Sequence, residues 1–272
     1  MDLVEVVPNR LHMLRWPIGQ AYLWRDGAAL TLIDAGHAGS AGLIEGAIRS
    51  LGLDPARLER IVLTHCHRDH VGAAGELAAR WGAQVLAHRL DAPVVRGERP
   101  VPEPVLLDWE VPLYRHGLTV PEAPPTPVHR ELEDGDRLDF GGGAYVVHSP
   151  GHTDGSIGVH LPEHGVLFTG DCVAGVGQVM LGVFNVDRAQ AIESFRRLAA
   201  LEPEVACFGH GDPLVEGTAA ALRAAAEGAD ATAADVPPAP AAAGAADSVP
   251  APAGAADSAP TAAGTADSVT SA

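Results

Sequence analysis

The run Thr64-His65-Cys66-His67-Arg68-Asp69-His70 sets three imidazoles and a carboxylate within six residues, and that density restricts what the rest of the chain can build. The apolar stretch Ile61-Val62-Leu63 leads straight into it and reads as a short buried strand. The pattern from about Val71 to Trp81 reads as a helix. On a strand, His65 and His67 lie two apart and project to one side, with Cys66 and Arg68 turned away. Asp69 and His70 then fall just before the helix. Four ligand-type side chains at one strand-to-helix corner suit a transition-metal ion. One corner supplies at most four ligands, so the fold must bring more His or Asp to the same place from other strand ends.

Three such ends are present. Ser149-Pro150-Gly151-His152 follows the strand-like Tyr145–His148. Thr169-Gly170-Asp171 follows Val166–Phe168, and Gly209-His210 follows Val205–Phe208. Each candidate comes directly after an apolar run and beside a glycine, which lets backbone approach closely.

The surrounding pattern alternates strands and helices. Ala21–Trp24 and Ala28–Ile33 flank an Asp26-Gly27 turn and read as a hairpin. Ser40–Leu51 has helical spacing and closes at Gly52, and Ile157–His160 adds a strand. A helix follows over Arg188–Leu201 and a last one starts near Leu214. Two strand-rich halves that each end in helices predict an α+β chain with two sheets packed face to face and helices outside. Between the halves, the Pro-rich segment 96–130 has no periodic pattern. It reads either as a lid or binding loop carrying Trp109 and Tyr114, or as a surface insertion. The domain assignment is a catalytic domain over 1–227. Beyond it, 228–272 reads as a disordered tail in which Gly244-Ala-Ala-Asp-Ser248 recurs at 254–258 and, as Gly-Thr-Ala-Asp-Ser, at 264–268, with too little apolar bulk to stack.

The run His65-x-His67-x-Asp69-His70, followed by Gly151-His152, Gly170-Asp171 and Gly209-His210, resembles the metallo-β-lactamase superfamily over roughly residues 20–212. The resemblance implies a four-layer αβ/βα sandwich with two divalent metal ions, Zn2+ or else Fe or Mn, at one edge between the sheets. It also implies a division of ligands. His65, His67 and His152 would hold one ion, Asp69, His70 and His210 the other, and Asp171 would bridge them. Asp34, in the early Asp34-Ala35-Gly36, would be an outer carboxylate that orients a ligating imidazole. A metal-bridging hydroxide would be the nucleophile. Asp69 would orient it, which makes Asp69 the candidate catalytic residue.

Departures within the superfamily narrow the activity. Antibiotic-degrading members are exported and lack the bridging aspartate, whereas this chain has Asp171 and no visible signal peptide at Met1-Asp2-Leu3-Val4-Glu5. Glyoxalase II members add a helical glutathione-binding domain, where this chain shows one helix and then the tail. The expectation is a hydrolase of a small-molecule ester, thioester or lactone. The alternatives are an iron-dependent oxidoreductase of the persulfide dioxygenase type and a metal-dependent phosphodiesterase.

Charge bears on partners. All 18 basic residues are Arg, against 35 acidic ones, for a net charge of −17. That balance disfavours nucleic acid and an anionic membrane surface, and the lack of Lys removes Schiff-base chemistry. Cys66, Cys172 and Cys207 cannot form a disulfide framework and point to the cytoplasm. They are expected to be small buried apolar groups. His116, His129 and His148 are expected to be structural or exposed, and His37 to lie at the surface. Met180, Leu181 and Phe184 read as core, with pocket walls as the competing reading.

Overall fold

Two sheets lie back to back in the computed structural model, which describes residues 1–229. The first sheet has seven strands in chain order: β1 (Asp2–Val7), β2 (Leu11–Arg15), β3 (Gln20–Asp26), β4 (Ala29–Ile33), β5 (Leu58–Val62), β6 (Gln84–His88) and β7 (Arg130–Leu132). Its strands pair antiparallel as far as β4 and parallel from there on. The second sheet has the order β14 (Val205–Cys207), β11 (Val166–Phe168), β10 (Ile157–Leu161), β9 (Ala144–His148), β8 (Arg137–Leu138), parallel only between β14 and β11. A short ribbon pairs β12 (Val173–Ala174) with β13 (Met180–Leu181).

The period-2 alternation of the strands sorts their side chains into layers. Met13, Tyr22 and Trp24 from the first sheet meet Val146, Val159 and Phe168 from the second in a common core between the sheets. The opposite faces of the same strands supply Leu14, Leu23 and Leu32, which pack with Ile44, Ile48 and Leu77 of helices α1 (Ala41–Ser50) and α3 (Ala74–Trp81). On the far side, Val147 and Leu167 pack with Phe195, Leu198 and Leu222 of α6 (Arg188–Ala199) and α7 (Thr218–Gly228). The result is the expected helix–sheet–sheet–helix sandwich. Asp187 caps α6 by accepting from Gln190 N at 3.0 Å, and Ile192, Phe195 and Ala199 fall on its buried face.

The structure corrects several expectations. The helix expected over Val71–Trp81 is two helices, α2 (Arg68–Val71) and α3, broken near Gly72. There the chain packs directly on the backbone of His37 and Ala38, so closely that any Cβ on Gly72 would collide with it. Asp69 and His70 therefore lie inside a helical turn rather than ahead of one. Strand β5 also stops at Val62, because Thr64 N turns away to donate to Asp34 Oδ1 at 2.8 Å. Arg68, expected to turn away from the site, follows helical rather than strand geometry and lines the cleft beside Asp69. The final helix starts at Thr218 rather than near Leu214, since Leu214 instead makes a bridge to Ala206.

Segment 96–130 is not structureless. It contains α5 (Glu110–Gly117), preceded in the chain by the short α4 (Ala92–Val95). Pro112 sits in the first turn of α5, where a missing N–H costs no helical hydrogen bond. Among the described residues no helix is long and apolar enough to cross a membrane. The ten-residue repeats of the expected tail lie outside the described residues.

Candidate metal centre

The carboxyl ends of β4, β5, β11 and β14, together with the β9–β10 turn, converge at one edge of the sandwich. Parallel pairing of β4 with β5, and of β11 with β14, makes these ends point the same way. They deliver Asp34, the segment Thr64–His70, Asp171 and His210, while the turn delivers His152. Backbone bonds lock the pieces together: Ile157 N donates to Thr64 O at 2.9 Å and Ala35 N to His70 O at 2.7 Å.

Three groups of side chains converge closely enough to hold a metal ion: His65, His67 and His152; His65, His70 and Asp171; and Asp69, His70 and His210. All seven candidate ligands are present, and no cysteine is among them. Asp171 is central, with Oδ2 at 3.9 Å from His65 Nε2, 3.7 Å from His152 Nε2 and 3.1 Å from His210 Nε2, and Oδ1 at 3.4 Å from His70 Nε2. Asp69 Oδ2 lies 3.4 Å from His70 Nε2 and 3.3 Å from His210 Nε2. His67 Nδ1 meets His152 Nε2 at 2.9 Å. Gly209 is required here, because a Cβ at that position would strike Asp171 Oδ1.

Hydrogen-bond logic fixes which ring nitrogens face inward. Thr64 Oγ1 donates its one proton to Asp34 Oδ2 at 2.7 Å. It must therefore accept from His65 Nδ1, 3.1 Å away, which leaves His65 Nε2 as a bare lone pair. The Val183 carbonyl can only accept, so His152 Nδ1, at 2.9 Å, carries the proton and its Nε2 is bare as well. His70 Nδ1 donates to Asp34 Oδ2 at 2.9 Å, which directs its Nε2 toward both other carboxylates. His65 Nε2, His70 Nε2 and Asp171 Oδ1 are buried without any hydrogen-bond partner. Buried polar atoms seldom go unpaired. A set of lone pairs aimed at common points fits divalent metal ions, with imidazole and carboxylate donors suited to zinc or iron.

The charges agree with that fit. Burial would raise the Asp171 carboxyl, but His210, His70 and His65 hold it well below the usual carboxylate range, and Asp69 behaves alike beside His70 and His210. Burial and neighbouring imidazoles push His65 and His152 down, and His67 down to about 3, so these three are neutral donors. His70 and His210 are driven the other way: burial would lower both, but Asp171, Asp69 and Asp34 hold His70 well above its ordinary value, and Asp171 and Asp69 bring His210 up to about 10. The carboxylates thus draw positive charge to the side of the cluster that Asp69, His70 and His210 share.

Other residues hold the ligand-bearing turns, and the sequence did not single them out. Asp91 is buried; its Oδ2 accepts from Thr153 Oγ1 at 2.7 Å and its Oδ1 from Gly155 N at 2.9 Å, bracing the turn of His152. Gln20 Nε2 donates to Phe208 O and Gly211 O, both at 2.8 Å, and Tyr22 donates to Phe208 O, bracing the turn of His210. A polar residue next to a strand end was the only signal available for Gln20, and there was none for Asp91. All three cysteines are free and buried. His37 packs edge-on against Trp16, and His129 accepts from Val85 N.

A cleft opens from the cluster. One part, of about 250 Å³, is lined by His67, Arg68, Asp69, Asp171 and His210 from the elements of the cluster and by Glu103, Tyr114 and Leu118 from segment 96–130. A second part, of about 300 Å³, shares Asp171, His210 and Phe184 and extends along Met180 and Leu113. Met180 and Phe184 are therefore walls, whereas Leu181 is core. Segment 96–130 forms one side of the cleft through α5.

The family model described as the metallo-beta-lactamase superfamily matches residues 14–210. A curated relative from Bacillus subtilis (strain 168), "Probable metallo-hydrolase YflN", is 32% identical over 68% of this chain and 76% of its own length. A hydroxyacylglutathione hydrolase of Fuscovulum blasticum is 32% identical over 70% of this chain, which spans only 61% of that relative's length. A crystal structure described as TTHA1623 in a di-iron-bound form superposes with a TM-score of 0.58 at 32% identity, covering 77% of this chain and 94% of that one.

Proposed function

We propose that this chain, which belongs to the metallo-β-lactamase superfamily and is a metal-dependent hydrolase, works with two divalent ions on a small-molecule ester, thioester or lactone in the cytoplasm. The observation that carries the two-ion reading is the set of inward-facing, unpartnered donors around Asp171. His65, His67 and His152 would hold one ion, Asp69, His70 and His210 the other, with Asp171 shared between them. When bound, the ions supply Lewis acidity that polarises a carbonyl oxygen and brings the pKa of water toward neutrality.

The chain's own residues do the rest. Asp34, through Thr64 and His70, keeps two imidazoles in the tautomer that presents Nε2. Asp69 borders the cleft, where its carboxylate would accept a hydrogen bond from the attacking water and orient it, take up a proton from that oxygen as it adds to the carbonyl, and hand the same proton to the leaving group as the bond to it breaks. Val183, through its carbonyl, fixes His152 from the wall of the cleft itself. The di-iron form of a 32% identical relative favours iron as the competing metal.

The test is a hydrolysis screen of zinc-, manganese- and iron-loaded protein against lactones, thioesters, esters and phosphodiesters. Turnover of one of the first three classes is expected, and Asp171→Ala should lower it at least about 100-fold with the circular-dichroism spectrum unchanged. Full activity in that variant removes Asp171 from the shared position. A single iron per chain with oxygen consumption overturns the hydrolytic reading.

A further inference from the structure

The part of the cleft that runs away from the cluster along α5 differs in chemistry from the part that faces Asp69. Its walls are Ile18, Leu113, Val176, Met180, Val183 and Phe184, and its only titratable lining residues among those described are Asp171, His210 and His116. No Arg reaches it, so a carboxylate or phosphate there would have no guanidinium partner, although the chain has 18 basic residues. One of its walls, Leu113, is also exposed at the surface. Of the ten large apolar side chains exposed among the described residues, Val101, Val105, Leu113 and Leu118 all come from segment 96–130. Leu113 borders the apolar part, whereas Val101 and Leu118 border the part that faces Asp69, where Arg68 and Glu103 also lie.

The wall is fixed in place. Glu110 is buried; its Oε2 accepts from Leu107 N at 2.9 Å and its Oε1 from Phe184 N at 3.4 Å, tying the start of α5 to the loop after Asp171. Val105 N donates to Asn185 O at 2.9 Å, and the rings of Tyr114 and Phe184 meet edge to face at 5.3 Å. From the other side, Arg68 donates to Val120 O at 3.1 Å. The apolar cavity is thus built between the insertion and the elements that carry the cluster.

We propose that this cavity is the subsite for an uncharged alkyl or aryl substituent of the substrate, seated against Leu113, Met180 and Phe184 while the scissile carbonyl lies at Asp171 and His210. This rests on the hydrolase reading above and names its substrate class. A volume of about 300 Å³ corresponds to roughly ten water-sized units, which limits the substituent to about ten non-hydrogen atoms. Burying each methylene there raises affinity about fourfold.

The experiment has a binding arm and a turnover arm, both on the full chain loaded with metal. In the binding arm, calorimetry with n-alkanols from butanol to decanol should show affinity rising about threefold to fourfold per methylene and levelling off when the cavity is full. Leu113→Asp, at a half-exposed position on α5, should weaken octanol at least tenfold. Leu113→Trp should cut the plateau to a shorter chain. In the turnover arm, methyl esters of straight-chain acids and acetate esters of straight-chain alcohols are compared. One of the two series should show the same rise in kcat/KM, and that series tells which side of the ester carries the substituent. Length-dependent alkanol binding without any ester turnover keeps the subsite and overturns the hydrolase reading. Turnover with alkanol affinity independent of length, and unchanged in both Leu113 variants, overturns the subsite and keeps the hydrolase reading.

Discussion

Thr64 owns a single hydroxyl proton, and its destination at Asp34 determines how His65 is oriented 3.1 Å away. That one carboxylate also accepts from His70 Nδ1 and from Thr64 N, so a single side chain sets the tautomers of two candidate ligands. Asp34→Asn supplies an amide in place of the second acceptor oxygen, so His70 Nδ1 and Thr64 Oγ1 can no longer both be satisfied. Metal affinity should fall about 10- to 100-fold, read by competition with a chromophoric chelator, and the buried donor left unsatisfied should lower the stability of the metal-free protein by about 1–3 kcal/mol. An unchanged affinity would mean that Asp34 does not govern those imidazoles. At this scale the sequence was informative. Four of the seven candidate ligands crowd the chain just after β5, and the other three, His152, Asp171 and His210, each follow a strand end directly beside a glycine, an arrangement that can be seen without coordinates. The residues that brace them could not be seen, because Asp91, Gln20 and Tyr22 act across more than 60 residues of chain on turns they do not adjoin.

Elements with a clear period were also legible. The burial of Ile44, Ala47 and Ile48 on α1, and of Ile192, Phe195 and Ala199 on α6, follows the spacing of the apolar residues. What escaped were elements whose limits are set by contacts elsewhere. The break before α3 exists because Gly72 meets the backbone at His37 and Ala38, a contact between loops distant in sequence. Helix α5 escaped because it buries little and carries Pro112; it is held by Glu110 and by the loop at Phe184 rather than by an apolar stripe. Glu110→Ala should therefore loosen α5 specifically. Hydrogen exchange should speed up over residues 105–118 and around 183–185, while β5, β10 and β11 keep their protection. Exchange that is unchanged over α5 would show that other contacts hold the helix.

Across the whole molecule, the two sheets meet at their shared core and again at a histidine pair, His88 at the end of β6 stacked on His148 at the end of β9, with ring centroids 4.1 Å apart. Burial, then His148 and Arg89, lower His88 from its ordinary 6.5 to about 4, against a smaller opposing pull from Asp134 and Asp136. Between those two values the unfolded chain binds the proton that the folded chain refuses. The contribution of His88 to stability is therefore full above pH 6.5 and is lost as the pH falls toward 4. Urea midpoints at pH 7.5 and pH 5 should drop further for the native chain than for His88→Phe, and an equal drop in both would place the pH sensitivity elsewhere.

One edge of the sandwich, between the carboxyl ends of its parallel strands, gathers donors from both halves, and we propose that they hold two ions. The most direct test is the number of metal ions per chain, measured by inductively coupled plasma mass spectrometry on protein purified without chelator and then titrated with zinc or iron. Two ions per chain are expected in the native protein and a single, weaker one in Asp171→Ala. One ion per chain in the native protein at saturation, with Asp69→Ala or His210→Ala leaving that count untouched, would contradict a two-ion site shared through Asp171.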